Sequence, residues 1–344
     1  MTNPKNEKEE MMSRNKLMTC LLVFCFVWGF AGAPDATAAE KKKVEMQSSH
    51  FGGTLYQLAF AFSEIVKKNS DILQINPVES AGTGAGIMKV YGDPKGRITA
   101  GTPITIIAAK NGDKPFDKPY PDMRAIGNFV RNAQVLITLR DDIKKVTDLA
   151  GKKVGLGPQP TVLGRSMRDV IEIGYDLKGK VKIFYMRWPQ LKDSLMDGSI
   201  DAMVLGISMG PGGKWFPVPV YQEITASGKT PTYLGYTKEA LEKAAKGANS
   251  NFPPVMVKKD GVAQGLPQED ILSFSDDLGV WAHKDFDPDL AYEMARVLNE
   301  HWEEMRGITG MAKATFKEIL FDLVVSDDMV HPGALKYLKE KGLR

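Results

Sequence analysis

Val44-Glu-Met-Gln-Ser-Ser-His-Phe-Gly-Gly-Thr-Leu-Tyr-Gln-Leu-Ala-Phe-Ala-Phe-Ser-Glu-Ile-Val-Lys67 decides how the rest of the chain is read. It opens with the alternating residues Val44, Met46 and Ser48 and turns at Phe51-Gly52-Gly53. It continues as an apolar series at helical spacing: Leu55, Leu58, Ala59, Phe62, Ile65 and Val66. Alternation followed by helical periodicity predicts a strand, a glycine turn and a helix. The turn leaves backbone N–H groups unpaired at the helix start, where the macrodipole is positive. Gly52 and Gly53 have no Cβ, so a ligand can approach the main chain. An anion such as a carboxylate suits that spot. The plain alternative is a connection without a ligand, because glycine turns between strands and helices are common.

Working outward, Leu73 to Ser80 reads as a second strand. It runs into Ala81-Gly82-Thr83-Gly84-Ala85-Gly86 and a short helix around Ile87 to Tyr91. These glycines do not spell G-x-G-x-x-G, and no acidic residue is suitably placed, so a nucleotide cofactor is not indicated. Two glycine loops at the ends of adjacent parallel strands are more telling, since ligands of open α/β sheets gather there. A further apolar segment holds Ile98 and Ile104 to Ile107, and a polar loop follows from Asn111 to Asp122. Met123 to Val130 and Ala133 to Leu139 are two apolar runs with little turn chemistry at Arg131-Asn132, as expected of strands that continue across two domains.

Thr147 is placed to cap a short helix that Gly151 ends, and Lys153 to Leu156 reads as a strand. A third loop, Gly157-Pro158-Gln159-Pro160-Thr161, opens onto a helix from Val162 to Ile173, with Thr161 as N-cap. Strand Val181 to Met186, helix Pro189 to Met196 and strand Ile200 to Leu205 follow, then a fourth loop at Gly206-Ile207-Ser208. This alternation is the doubly wound pattern. Ile271 to His283 carries alternating runs that return to the first domain. Asp287-Pro288 starts a helix with Leu290, Met294, Val297, Leu298 and Trp302 on one face, and Pro332 to Lys341 is an amphipathic terminal helix.

A chain of 344 residues suggests about two domains, and 43% hydrophobic with 25% charged residues is ordinary for a globular protein. A net charge of +3, with scattered Lys and Arg, gives no support for a nucleic-acid or membrane-surface role. Arg14 and Lys16 precede the apolar run Leu17 to Phe30, and Ala36-Thr37-Ala38 follows. That order predicts a signal peptide over residues 1–38, cleaved after Ala38, and export to the periplasm. A retained anchor is the alternative, but the run is short of the roughly 20 residues a span needs. Met11 or Met12 is an alternative start.

The two cysteines, Cys20 and Cys25, both fall in that apolar run, so the body of the chain has no disulfide framework, cysteine metal site or thiol nucleophile. His50, His283, His301 and His331 form no H-E-x-x-H motif, and each reads as structural or exposed. There is no G-x-S-x-G elbow and no P-loop. The acid pairs Asp141-Asp142, Asp276-Asp277 and Asp327-Asp328 read as surface or capping residues. No catalysis, no metal and no cofactor are expected.

The ordered set of Gly52-Gly53-Thr54-x-Tyr56, Ser80-Ala-Gly-Thr-Gly84, Asp148-Leu-Ala-Gly-Lys-Lys-Val154, Gly157-Pro158, Asp197-Gly-Ser-Ile-Asp-Ala202 and Val280-Trp281-Ala282 resembles the TAXI family. These are extracytoplasmic solute receptors of tripartite ATP-independent periplasmic (TRAP) transporters, and the resemblance covers Val44 to the C-terminus. It implies an α/β, two-lobed periplasmic-binding-protein fold of type II-like order, with doubly wound lobes joined by crossing hinge strands. The expected lobes are 39–130 with 280–344, and 131–279. The implied ligand is a small carboxylate or amino acid, and the implied partners are TRAP membrane subunits, with a monomeric receptor and no nucleic acid. Carried over by residue, the ligand site comprises Gly52, Gly53, Thr54 and Tyr56 from the first turn and Ser80, Ala81, Gly82 and Thr83 from the second, and the adjoining His50 and Phe51 are counted with them. Thr102 joins them, with Gln159, Pro160, Thr161, Val162, Gly206 and Ile207 from the other lobe.

Three features depart from the family's pattern: His50-Phe51 before the glycines, Pro158-Gln159-Pro160 in the third loop, and Gly101-Thr102-Pro103 in place of an acidic loop. They point to a ligand larger, more aromatic or less polar than glutamate. Phe51, Tyr56, Trp188 and Trp215 are either its lining or core residues, and Arg131, Arg165 and Arg187 either carboxylate partners or surface residues. The rival readings are a ligand-sensing periplasmic protein and an enzyme on the same two-lobed fold.

Overall fold

The computed structural model describes residues 40–157, 162–216 and 219–344. The expected leader falls outside them, as do Gln159, Pro160 and Thr161 of the third loop. Among the described residues the strands form two sheets. The first has the order β2 (Leu73–Val78), β1 (Lys42–Gln47), β3 (Arg97–Gly101), β13 (Leu278–His283), β4 (Met123–Val130). β1, β2 and β3 are parallel, while β13 runs antiparallel to β3 and β4. In the second sheet β5 (Asn132–Thr138) pairs antiparallel with β8 (Ala202–Met209), and β8 lies parallel to β6 (Lys153–Leu156), which is parallel to β7 (Lys182–Tyr185). β12 (Ile271–Ser275) and β11 (Pro254–Val257) extend the other edge. The chain passes from the first sheet to the second at Arg131 and returns through Asp276-Asp277. The result is the two-lobed α/β architecture with crossing strands that the sequence predicts.

Helix α1 (Thr54–Asn69) buries the expected stripe, Leu58, Ala59, Phe62, Ile65 and Val66, and places Lys67 and Lys68 in its last turn, where the helix dipole favours cations. It packs on α8 (Pro288–Met305), whose start is built as the sequence suggests. Asp287 accepts from the Asp289 and Leu290 N–H groups, and Pro288 occupies the first turn, where no N–H is missed. Helix α3 (Pro103–Asn111) covers the isoleucine segment, and α4 (Val162–Asp169) runs on into one π-turn at Val170–Gly174. Ile104 and Phe116 of the first lobe and Val162 and Met167 of the second belong to one continuous apolar cluster. Apolar packing is therefore continuous from one lobe to the other.

The second glycine run has a packing explanation. Gly82 takes φ +94°, and α2 (Thr83–Gly92) starts directly after it, several residues earlier than the apolar pattern indicates. A Cβ on Gly86 would fall 2.2 Å from Thr99 Oγ1 and 3.2 Å from Gln47 Cβ, so this glycine lets the helix lie on β1 and β3. Gly86→Ala is expected to lower stability by about 1–3 kcal/mol through overpacking. Urea denaturation checks this, and an unchanged midpoint would contradict it.

Candidate functional site

Three turns leave the carboxyl ends of adjacent parallel strands β2, β1 and β3 and lead directly into α2, α1 and α3 respectively. They hold most of the residues singled out above. The first two are knitted together: Ser80 Oγ donates to the Ser48 carbonyl at 2.6 Å, and the Ser80 N–H donates to the Ser49 carbonyl at 3.4 Å. Ser80 is thus spent on the backbone, while Ala81, His50 and Phe51 face solvent. Phe51 is 76% exposed and leans on Tyr56, with ring centroids 5.2 Å apart.

Gly53 and Gly82 precede α1 and α2 without a side chain to cap them, and neither helix has an acidic residue in its first turn. Ser49 Oγ accepts from the Tyr56 N–H at 3.2 Å. Glu79 accepts from the Phe51 N–H at 2.8 Å, so the chain's own carboxylate takes one donor of the turn where an anion is expected.

The third turn reaches the second lobe. Thr102 caps α3, with its Oγ1 3.4 Å from the Thr105 N–H and 3.1 Å from Thr105 Oγ1. Its side chain also faces the Asp276 carboxyl. Asp276 is only 4% exposed, and burial pushes its pKa up to about 7; Thr102 lowers it and neighbouring Asp277 raises it. Asp276 donates its N–H to the Asn132 carbonyl at 2.9 Å, which places it beside Gln134 on β5. Ser208 Oγ donates to Asn132 Oδ1 at 2.7 Å. Strand alternation puts Asn132, Gln134, Gly206, Ser208 and Asp276 on one face of the second sheet.

Gly206, Ile207 and Ser208 are not a fourth loop; they lie within β8, because that strand keeps pairing with β5 as far as Asn132. Ile207 is fully buried on the opposite face from Gly206 and cannot line the seam. Asp276-Asp277 is neither a surface nor a capping pair: it bridges the two sheets at the return crossing, and Asp277 is 0% exposed. Trp215 is buried core, and the side chain of Trp188 lies outside the description. Val162 starts α4 and is buried.

The arginines are committed within the chain or stand apart. Arg131 Nη2 donates to Asp277 Oδ2 at 3.1 Å and its Nη1 to Asp322 Oδ2 at 2.8 Å. Asn128 Nδ2 donates to Asp277 Oδ2 at 3.3 Å, and the Ser275 hydroxyl also donates to Asp277. Burial raises the Asp277 pKa, and these donors offset part of that cost. Arg165 on α4 reaches across the seam to the Lys114 carbonyl at 2.9 Å and to Asp113 at 3.4 Å. Arg187 is exposed.

Sequence reasoning missed Asp276, Gln134 and Asn132. One available signal was a glutamine inside an otherwise apolar strand, and another was an acid pair lying between two strands. An open groove of about 560 Å3 between α1 and α8, spanned by the Lys68–Glu304 ion pair at 2.7 Å, lies at the far end of α1, roughly 20 Å from the turns. It shares no residue with the site.

No protein of curated function matches the sequence. Solved structures are similar at low identity. A TctC solute binding protein from Polaromonas is 13% identical over 80% of this chain and 90% of its own, with a TM-score of 0.48. The substrate binding protein of an amino acid ABC transporter is 15% identical over 77% and 96%, with a TM-score of 0.42. A glycine-to-alanine mutant of arginine-bound ArgBP from T. maritima is 16% identical over 75% and 95%, with a TM-score of 0.40. All three scores fall below one half. A family model described as the NMT1-like family matches residues 47–342. That span takes in every described strand after β1 and most of the 344 residues, and the chain belongs to the NMT1-like family.

Proposed function

We propose that this protein is a periplasmic solute-binding receptor of the TAXI type, which captures a small organic anion between its lobes and delivers it to the membrane subunits of a TRAP importer. The observation that carries the proposal is family membership across residues 47–342. The ordered TAXI-like elements, the two helix starts with glycine at the N-cap, Gly53 and Gly82, and the crossing strands support it. In this reading the lobes are 39–130 with 280–344, and 131–279. The ligand touches the turns around Gly52-Gly53-Thr54 and Gly82-Thr83 on one side, and the Gln159-Pro160-Thr161 loop on the other. A ligand that bridges both lobes favours closure by its differential affinity for the closed state. The protein performs no catalysis.

The Thr54 hydroxyl, at the first turn of α1, is assigned to the ligand. Thr54→Ala is expected to weaken anion binding by about 1.5–3 kcal/mol, the worth of a hydrogen bond to a charged group. It is expected to leave stability within about 0.5 kcal/mol of the parent. Calorimetric titration beside thermal denaturation checks both, and parent-like affinity would remove Thr54 from the site.

A further inference from the structure

Gln134 and Asp276 are both 4% exposed, and both hold a buried oxygen, Gln134 Oε1 and Asp276 Oδ1, that has no hydrogen-bond partner. Buried polar atoms are nearly always paired, so each needs an explanation. The two residues are diagonal neighbours across β5 and β12, with backbones about 7–8 Å apart. That separation lets one small donor group lie within hydrogen-bonding reach of both oxygens. Gly206, in register with Gln134 on β8, lies directly beside the Gln134 amide, since a Cβ there would sit in ordinary contact 3.6 Å from Gln134 Oε1. Gly206 is also partly open to solvent where its chain neighbours Leu205 and Ile207 are buried. Thr102 closes the other side against Asp276. The arginine of this region, Arg131, is directed to Asp277 and Asp322.

We infer that Gln134 Oε1 and Asp276 Oδ1 form an acceptor pair at the seam of the lobes that receives the ammonium group of the ligand, so that the captured anion is an amino acid and not a plain carboxylate. This inference rests on the receptor reading above. A carboxylate at the helix starts and an ammonium at the acceptor pair divide a zwitterion between the two lobes. Both buried oxygens acquire their missing donor when the ligand closes the seam. A carboxylate without the amino group leaves both oxygens unpaired in the closed state. The resulting discrimination is the strong kind that a site built for a donor exerts against an analogue lacking it.

The test compares matched acids that differ only in the amino group: L-glutamate with glutarate, L-aspartate with succinate, and L-phenylalanine with 3-phenylpropionate. Each is titrated calorimetrically into the purified protein after unfolding and refolding to remove bound ligand. The amino member of at least one pair is expected to bind at least tenfold tighter than its partner. That preference is expected to fall toward one in the Gln134→Leu, Asp276→Asn double variant. Equal or tighter binding of the acid without the amino group overturns the acceptor pair and leaves the receptor reading standing. A preference that persists in a folded double variant also overturns it. Binding of no member of any pair overturns both.

Discussion

Arg131→Met is expected to destabilise the protein by about 3–5 kcal/mol, the cost of stripping the partner from a buried charge. Asp277 has no solvent-exposed surface and receives donors from Arg131, Asn128 and Ser275. Removing the guanidinium leaves that carboxyl with two neutral donors in a dry site. The same guanidinium holds Asp322 and the Asp322 carbonyl, so one side chain ties the outgoing crossing at Arg131, the return crossing at Asp277 and the C-terminal segment. Adding Asp277→Asn to Arg131→Met is expected to recover part of the loss, because the unpaired charge is then gone. Urea unfolding of the two single variants and the double variant measures this. A loss below about 1 kcal/mol in Arg131→Met would show that the ion pair does not brace the crossing strands.

Asp276→Asn is expected to act in the opposite direction. Its carboxyl has a pKa near 7 in the folded chain, chiefly from burial, against 3.8 as its ordinary value. A raised carboxyl pKa means that the folded state holds the proton more tightly than the unfolded state. This stabilising contribution is complete below about pH 4 and is lost as pH climbs through 7. At pH 8 the buried carboxylate is a burden of up to about 4 kcal/mol, and the neutral amide does not carry it. The ligand-free variant therefore gains stability over the parent between pH 4 and pH 8, most of it by pH 7. Parallel stability curves for parent and variant across that range would refute the assignment. Asp277, the neighbouring acid, and Thr102 face the same group and remain in both proteins.

The elements that were legible in the sequence are those with a local signature. The period of α1 and α8 is written in residues such as Phe62 and Leu298, which bury one face whatever the partner. The crossing at Arg131 was legible because two apolar runs meet there without turn residues. Gly206 misled because Gly-Ile-Ser has loop composition; β5 supplies the pairing that keeps it in a strand, and that pairing partner is about seventy residues away in the chain. Asp276-Asp277 misled because acids are seldom buried, and only the folded chain brings Arg131 and Thr102 to them. Ser80 looked like a ligand hydroxyl and is instead a backbone tie between two turns.

The most direct test of the receptor reading is a calorimetric titration of the refolded, ligand-free protein with amino acids and organic acids, with the recovered solute analysed afterwards. Saturable binding of one acid per chain is expected, with that acid recovered unchanged. Absence of binding across the series, or conversion of the solute to a product, would contradict it.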